Sequence, residues 1–423
     1  GALRVRNGKA ELYNERCVDC GECYRVCPVS AISVEQDDFS QIFNYKHRIA
    51  LVPEILFGQF PENVGKGLIY KALKKIGFND VFEVEHAAEV LKQSTSEYIK
   101  QSSQERPLIS AFCPAIVRLI QVKFPALVHH IILQKPPLDL AALYYRKKLI
   151  DEGCDPKEIG IFYITQCAAK IAAIKSPVGE NDSEINGVIN MDFIYNKIYS
   201  TIKDEKNKQS NQDYYNNELS PEAVNWSLTR GEADNAEGRC LAIDEIQNVM
   251  EFLEKVEDGE MEDIDFLELR ACDESCAGGI LNPANRFLTV ERLRNMAKNN
   301  DSPEKRYKQD IGPYYSYLKE RIALKPVIPR SIMKLDEDMT RALKKMRRVK
   351  DIMNRLPNVD CGTCGAPTCS ALAQDIVNGE GALKDCVFIQ RKYEQEGLIS
   401  KEEGYEIMKK IWGSEHLNSK HEK

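Results

Sequence analysis

The segment RACDESCAGGILNP, residues 270–283, places two cysteines four residues apart in front of a glycine pair. Positions four apart share one face of a helix, so we expect Cys272 and Cys276 to reach the same metal centre. Gly278 and Gly279 carry no side chain, so we expect the backbone to approach that centre closely at this point. Two thiols do not complete a cluster site, and the remaining ligands must come from other loops.

Two further cysteines follow apolar runs that predict buried strands. Cys113 follows PLISAF, residues 107–112, and Cys167 follows IGIFYIT, residues 159–165, after one glutamine. Short continuous apolar runs of this kind are typical of parallel strands in an α/β sheet. Ligands collect at the carboxyl ends of such strands. The sequence therefore predicts an α/β fold in which three loops bring four thiols to one site.

Length and composition indicate the class of protein. The 423 residues predict two to four domains, and a hydrophobic content of 43% is that of a globular chain. The net charge of −7 argues against nucleic acid as a partner, because binding phosphates needs a positive surface. No apolar run of about 18 residues predicts a membrane span. The first residue is a glycine, which suggests a processed chain, and we expect a cytoplasmic protein.

The 14 cysteines are expected to bind metal rather than to form disulfides. Most lie in tight groups or at strand ends, whereas disulfide scaffolds are small secreted domains. The first group has the spacing Cys-x2-Cys-x2-Cys-x3-Cys-Pro of bacterial ferredoxins, whose fourth cysteine binds the other cluster of a pair. Its members are Cys17, Cys20, Cys23 and Cys27. A zinc knuckle, the alternative, would usually have two separated Cys-x2-Cys pairs.

No second ferredoxin motif accompanies the first. The residues after Cys27 include AISV at 31–34, and the chain opens with the similar ALRV at 2–5. We therefore expect residue 1 to lie just past a missing Cys-Pro, so that residues 1–40 form a ferredoxin-like [4Fe–4S] domain cut in half. Its cluster then either takes Cys27 as the fourth ligand or stays incomplete.

The last group of cysteines predicts another cluster. It has the spacing Cys-x2-Cys-x4-Cys-x16-Cys and consists of Cys361, Cys364, Cys369 and Cys386. Gly362 and Gly365 would let backbone amides point at a cluster sulfur. Residues 356–390 resemble the small four-cysteine [4Fe–4S] domain attached to electron-transport and corrinoid iron–sulfur proteins. A zinc site is the alternative.

Around the central cysteines, residues 45–297 resemble the catalytic domain of the [FeFe]-hydrogenase large subunit. The family motifs Thr-Ser-Cys-Cys-Pro, Met-Pro-Cys-x2-Lys-x2-Glu and Glu-x-Met-Ala-Cys-x3-Cys-x2-Gly-Gly-Gly correspond to SAFCP at 110–114, TQCAAK at 165–170 and ELRACDESCAGG at 268–279. The resemblance implies a hydrogenase-like two-lobed domain with an H-cluster.

The H-cluster that the resemblance implies has two parts. A [4Fe–4S] cluster would be held by Cys113, Cys167, Cys272 and Cys276. Cys276 would also bridge to a diiron subcluster that carries CO and CN⁻ ligands. Val52 and Pro53 would line the diiron pocket, and Lys170 could donate a hydrogen bond to a cyanide ligand. Whether diiron is bound is not fixed by these residues.

Several pocket positions depart from the family pattern. Phe112 replaces the thiol that passes protons to the distal iron, and a phenyl ring cannot titrate. Thr165 and Arg270 replace two pocket methionines, and Arg270 would place a fixed positive charge beside an anionic cofactor. The other departures are Leu138 for a glutamine, Ala173 for a glutamate and Ile280 for a glycine; Glu97 is a candidate acidic relay. These changes predict slow turnover or a cofactor-poor relative.

The remaining segments join the domains. Residues 204–222 predict a mobile polar insertion, and 298–310 a second break. The helix predicted at 339–356 has a heptad-like apolar seam. It either packs on the catalytic domain or forms a homodimer, and its basic face is either solvated or docks an acidic partner. We expect a partial ferredoxin-like domain at 1–40, an H-cluster domain at 41–300, a helical linker at 301–355 and a four-cysteine α-rich domain with a tail at 356–423.

Together these features are similar to the sensory, HydS-like [FeFe]-hydrogenases, without the PAS domain that some of them carry. The predicted function is slow, reversible H₂ oxidation and proton reduction used for H₂ sensing. Electrons would pass through the flanking clusters to a ferredoxin-like or signalling partner. The alternatives are a non-catalytic electron-transfer or cluster-assembly protein that keeps only the central [4Fe–4S] cluster, and an enzyme subunit that reduces another substrate.

Overall fold

The computed structural model describes residues 1–102, 105–205, 219–299, 311–330 and 339–417. The chain forms two compact units, one of Gly1–Cys17 with Arg330–Lys423 and the other of Val18–Pro329. The division between the units therefore falls inside the predicted first domain, and the other predicted boundaries remain predictions. Most of the predicted insertion at 204–222 and of the predicted break at 298–310 lies outside the described residues.

Parallel sheets form the framework of the larger unit. The strands of the described residues are β1 Leu3–Arg6, β2 Lys9–Leu12, β3 His47–Val52, β4 Asp80–Glu83, β5 Leu108–Ile109, β6 Ile159–Thr165, β7 Gly187–Asn190, β8 Cys240–Ile243 and β9 Phe266–Leu269. One parallel sheet has the order β4-β3-β6-β7, and the other has the order β5-β9-β8. All seven residues of β6 are buried, as expected where both faces of a parallel sheet are covered. The predicted α/β fold is confirmed.

Helices surround both sheets. Those of the larger unit are Glu22–Val26, Ile55–Gly58, Lys66–Lys75, Ala88–Gln101, Pro114–Lys123, Pro137–Asp151, Ala168–Lys175, Met191–Glu205, Pro221–Asn225, Ile246–Glu257, Arg286–Asn299 and Tyr315–Arg321. Each sheet has its own apolar core, and Cys113 packs against both cores. The first central cysteine therefore lies where the two lobes of the larger unit meet.

The strand predicted at 107–112 is shorter than expected, because β5 covers only Leu108–Ile109. The hydroxyl of Ser110 accepts a hydrogen bond from the amide of Phe112 at 3.1 Å, and this side-chain turn replaces further strand pairing. The chain then passes Cys113 and enters a helix at Pro114, whose fixed φ suits the first helical position. The early end of β5 thus sets where the cysteine lies.

The smaller unit joins a hairpin to the C-terminal helices. Strands β1 and β2 pair antiparallel, with Leu3 opposite Leu12. The guanidinium of Arg4 donates two hydrogen bonds to Asp375, at 2.7 and 3.1 Å, and both side chains are fully buried. A bidentate buried pair of this kind fixes the hairpin on the helix that carries Asp375. The helices of this unit are Met339–Met353, Cys369–Asn378, Val387–Gln395, Lys401–Trp412 and Ser414–Leu417.

The helix Met339–Met353 packs mainly at its C-terminal end. Ile352 and Leu356 are buried in one apolar core with Cys364 and Cys369, whereas Met346 is 60% exposed. The predicted seam is therefore buried only in part, against the four-cysteine region, and a homodimer through it remains a prediction. Among the described residues, no helix combines the length and the apolarity needed to cross a bilayer.

Candidate metal centre

Three loops of the larger unit bring four thiols together. Cys113 and Cys167 each precede the first residue of a helix, at Pro114 and Ala168, and the other two cysteines follow β9. Burial raises the pKa of the Cys272 thiol well above its ordinary value, and so do four neighbouring thiols. Three of these are the other central cysteines, Cys167, Cys113 and Cys276, and the fourth is Cys20. The structure therefore brings the central thiols near one another, and their ligation of a shared cluster stays a prediction.

The chemistry of these thiols fits a cluster. Burial raises the pKa of Cys167 to about 12, because a thiolate is costly away from water. Burial also raises the pKa of Cys113. The thiols of Cys113, Cys167 and Cys272, whose pKa values are raised, are costly to ionise alone, whereas a bound metal deprotonates its thiols outright. Four converging cysteine sulfurs are the ligand set of a [4Fe–4S] cluster.

Cys272 and Cys276 do not share a helical turn as the spacing predicted. Glu274 and Ser275 have φ of 58° and 52°, so the backbone between the two cysteines is left-handed. A single 3-10 turn follows at Ser275–Gly278. The amide of Cys276 donates to the carbonyl of Ser227 at 3.2 Å, which holds this turn against a neighbouring loop. The expectation of a shared helix face was wrong, since the thiols meet through a tight loop.

The glycine pair is required by the protein's own backbone. A Cβ on Gly278 would lie 1.8 Å from the carbonyl oxygen of Asp273, which no side chain could tolerate. A Cβ on Gly279 would lie 2.6 Å from the carbonyl oxygen of Gln166. Gly279 therefore lets the loop after β9 approach the loop that carries Cys167. Contact of either glycine with inorganic ligands remains a prediction.

Phe112 and two cations occupy the position beside the thiols. Phe112 is 6% exposed, and the guanidinium carbon of Arg270 lies 3.7 Å from the centre of its ring. The ammonium of Lys170 lies 4.9 Å from the same centre. Cations are attracted to the face of an aromatic ring, so both contacts stabilise the buried charges.

The fixed positive charge predicted at Arg270 is paired with two carboxylates. Its Nη2 forms an ion pair with Glu232 at 2.8 Å, and its Nε lies 3.5 Å from Glu268. Glu232 in turn accepts a hydrogen bond from the hydroxyl of Ser110 at 2.7 Å. A buried guanidinium needs such partners, because its desolvation is costly. Arg270, Glu232 and Glu268 together therefore carry no net positive charge.

Lys170 is a buried cation with donors to spare. Its ammonium lies 3.3 Å from the hydroxyl of Tyr163, its one hydrogen bond among the described residues. Burial opposes the charged form, but Tyr163, Cys276 and Cys167 outweigh it and raise the pKa of Lys170 above its ordinary value. An ammonium has three donors, so this group fits an anionic ligand such as cyanide.

A cavity of about 80 Å³ lies beside Phe112 and Lys170. Its wall is mainly apolar and includes Leu138 and Ala173, two of the positions where the sequence departs from the family. A mostly apolar wall with a few polar groups is typical of a binding site, and a volume well below that of drug-sized pockets admits only a small ligand. Together with Lys170, it fits a small anionic inorganic group.

Two buried carboxyls of the cavity were missed by the sequence reasoning. Glu85 accepts hydrogen bonds from the amide of Glu54 at 2.9 Å and from the hydroxyl of Ser227 at 3.0 Å. Burial raises the pKa of Glu85 to about 7. Burial also raises the pKa of Asp139, which lines the same cavity, to about 6. Both groups can therefore exchange protons near neutral pH.

The other predicted pocket residues lie elsewhere. Val52 and Pro53 are buried, and Thr165 accepts a hydrogen bond from the amide of Cys167 at 3.2 Å, but none of the three lines the cavity. Glu97 forms an exposed ion pair with Lys319 at 2.8 Å. The suggestion that Glu97 is an acidic relay was therefore wrong, because its helix turns it toward solvent.

The flanking cysteines differ in their surroundings. Cys20 raises the pKa of the Cys272 thiol and packs against the core of the three-stranded sheet. In the smaller unit Cys364, Cys369 and Cys386 are buried in one apolar core, whereas Cys361 is exposed. Gly365 is required by the protein backbone, because a Cβ there would lie 2.3 Å from the carbonyl of Val5. Ligation by Cys17, Cys23 and Cys27 remains a prediction.

Family models match three regions of the chain. Residues 48–231 match the family described as iron only hydrogenase large subunit, C-terminal domain. Residues 10–33 match a 4Fe-4S binding domain, and residues 356–388 match an Fe-S cluster family. No curated protein matches the sequence.

Solved hydrogenases share the fold. Two variants of the [FeFe]-hydrogenase HydA1 from Chlamydomonas reinhardtii are 14% identical to this chain, with TM-scores of 0.50 and 0.51. The first alignment covers 67% of this chain and 94% of the other, and the second 70% and 96%. An [FeFe]-hydrogenase studied for oxygen inactivation of its two-iron subcluster is 15% identical over 70% of this chain and 96% of its own, with a TM-score of 0.51. The chain thus has one region that matches the iron-only hydrogenase large-subunit family and two that match iron–sulfur families, on a fold like that of [FeFe]-hydrogenases.

Proposed function

We propose that the protein is an [FeFe]-hydrogenase-like oxidoreductase that interconverts H₂ with protons and electrons slowly and serves H₂-dependent redox sensing. The observation that carries the proposal is the joining of four thiols from three loops to a cavity with a buried ammonium. Slow turnover is proposed because Phe112 stands where a titrating thiol would pass protons. A sensor needs a response to H₂ rather than a high rate, so this loss is compatible with the role.

The residues that would hold the cofactor follow from the site. The central [4Fe–4S] cluster would be bound by Cys113, Cys167, Cys272 and Cys276. Cys276 would bridge to the diiron subcluster, which when bound supplies the chemistry of making and breaking H₂. Lys170 would hold an anionic ligand of that group by a charge-assisted hydrogen bond. The outer part of the pocket around the diiron subcluster would be formed by Val52, Pro53, Gly278 and Gly279.

Protons would move through the carboxyls of the cavity. Glu85 and Asp139 titrate near neutral pH, whereas Lys170 stays protonated. A proton donor is most effective when its pKa lies near the working pH. Glu85 and Asp139 would therefore exchange protons with the cavity, and Phe112, with Arg270 packed on its ring, would form part of the wall without titrating.

Electrons would leave through the flanking clusters. The thiol of Cys20 lies close enough to Cys272 to affect its pKa, which suits transfer between the ferredoxin-like cluster and the central one. The clusters of Cys17–Cys27 and of Cys361–Cys386 would pass electrons to a ferredoxin-like or signalling partner. Binding experiments would identify that partner.

Infrared spectroscopy tests the diiron part of the proposal. Protein matured with the diiron cofactor should have CO and CN⁻ stretching bands, and these should change when H₂ is added. A protein with an intact central cubane and no such bands after maturation would instead be an electron-transfer or cluster-assembly protein. Bands that do not respond to H₂ would contradict a role in H₂ sensing.

A further inference from the structure

Three metal-ligating side chains meet at a second place in the larger unit, outside the cysteine site. The imidazole nitrogens of His129 and His130 and a carboxylate oxygen of Glu105 all lie within 4.8 Å of one another. Glu105 precedes β5, and both histidines end the short helix Pro125–His130. Nothing in the proposed hydrogenase chemistry uses this cluster.

His130 has the geometry of a prepared metal ligand. Its ring is 6% exposed, and its Nδ1 donates a hydrogen bond to the carbonyl of Pro107 at 2.9 Å. In the neutral ring this bond leaves Nε2 with a lone pair. Metal-binding histidines almost always donate their other ring N–H to a carbonyl or carboxylate in this way. Burial lowers the pKa of His130, so the neutral ring is favoured.

The lone pair of His130 faces a second acceptor. Its Nε2 lies 4.0 Å from Oε2 of Glu105, and neither atom can donate a hydrogen to the other in these protonation states. Nε2 of His129 lies 3.0 Å from the same oxygen. A cation among these atoms would bind all three. Glu105 and His129 are 78% and 51% exposed, so a metal ion has a path to the site.

We propose that Glu105, His129 and His130 bind a divalent transition-metal ion of the Zn²⁺ class. Two imidazoles and one carboxylate are the donor set of zinc sites that keep one position open for water. Ca²⁺ and Mg²⁺ are disfavoured because they prefer oxygen ligands. Glu105 precedes and the two histidines follow the segment that runs from β5 through helix Pro114–Lys123. This segment contains Cys113. A bound ion would therefore fasten both ends of this segment.

The test uses anaerobically purified full-length protein with its iron–sulfur clusters in place. Titration with Zn²⁺ should give one saturable site beyond the iron content. Zinc X-ray absorption should then give a nitrogen or oxygen shell at about 2.0–2.1 Å. A sulfur shell at about 2.3 Å would place the zinc on cysteines and overturn the proposal. The absence of a saturable site would overturn it as well.

Variants assign the ligands. Glu105→Gln and His129→Ala change exposed side chains and should leave the fold intact. Each should weaken Zn²⁺ binding by at least about 10- to 100-fold, the cost of losing even an outer-shell partner. His47→Ala, which removes a histidine at the start of β3, should leave the affinity unchanged. Unaltered affinity in both cluster variants, or an equal loss in His47→Ala, would overturn the assignment.

Discussion

Under the proposed function, Phe112 occupies the position at which a proton-passing thiol is expected. Its ring lies beside the central thiols and contacts the cations of Arg270 and Lys170. A thiol at this position would lie beside the ammonium of Lys170, which favours the thiolate, whereas the guanidinium of Arg270 is already paired with carboxylates. The surroundings of Phe112 would thus suit a thiol, whereas its phenyl ring cannot titrate.

Replacing Phe112 with cysteine should therefore raise the rate of H₂ uptake. Restoring a general acid of suitable position typically gains about 10²–10⁴-fold. The measurement is H₂ uptake by matured protein with an artificial electron acceptor. Phe112→Ala is the control, since it opens the same space without adding a titrating group. An equal gain in both variants, or none in Phe112→Cys, would contradict the role given to this position.

Glu85 should make the stability of the fold depend on pH. Its pKa is raised from 4.5 to about 7 by burial, so the folded state favours the protonated form. Its contribution to stability is complete below about pH 4.5 and is lost as the pH rises to about 7, by about 3 kcal/mol in total. Glu85→Gln should flatten this part of the curve. Denaturant unfolding from pH 4 to 8 measures it, and identical pH profiles would refute it.

The ligands of the site could be predicted from the sequence, but the acids of the cavity could not. Cysteines are rare and have few other uses at strand ends, so Cys113 and Cys167 stand out. Glu85, by contrast, lies in VFEVEHAAEV, residues 81–90, which contains three glutamates of similar surroundings. Only the end of β4 and the packing of Ser227 decide which of them is buried against the cavity.

At the scale of elements, a buried ion pair holds the hairpin of the smaller unit. Asp375 accepts hydrogen bonds from Arg4 and also from Arg6, at 2.7 Å. Removing one partner of a buried pair leaves the other charge uncompensated and costs about 3–5 kcal/mol. Asp375→Ala should therefore destabilise the smaller unit by about this amount.

Tryptophan fluorescence can follow that loss, since the chain has two tryptophans and Trp412 lies in the smaller unit. In a Trp226→Phe background, denaturant unfolding monitored at Trp412 should shift in Asp375→Ala. The control is Glu403→Ala, which breaks a half-exposed pair with Lys384 and should cost under about 1 kcal/mol. Equal effects of the two substitutions would contradict the account of the pair.

The sequence predicted elements better than their local geometry. Apolar runs located β6 fully and β5 in part, because burial on both faces leaves a continuous pattern. The spacing of Cys272 and Cys276 predicted a helical turn, yet Glu274 and Ser275 adopt left-handed backbone. Spacing cannot distinguish a helix from a tight loop that returns to the same place. The close contact between Gly278 and the carbonyl of Asp273 favours the loop over the helix, and this contact forms only when the chain folds.

At the scale of the whole molecule, the two units should lose iron independently. Cys364→Ala removes a buried ligand of the smaller unit, so it should lower the iron content by about four atoms per chain, one [4Fe–4S] cluster. The central cluster should remain, with its infrared bands after maturation. Cys154→Ala, a cysteine outside the groups, is the control. Iron analysis and electron paramagnetic resonance measure the result, and unchanged iron in Cys364→Ala would exclude a cluster at that site.

The pairing of β5 with β9 also has a consequence for how the protein is made. Ile109 lies opposite Leu267, so Cys113 takes its place only after a strand more than 150 residues later has emerged from the ribosome. Cys276 is synthesised later still. Insertion of the proposed central cluster would therefore have to follow synthesis of the chain as far as Cys276.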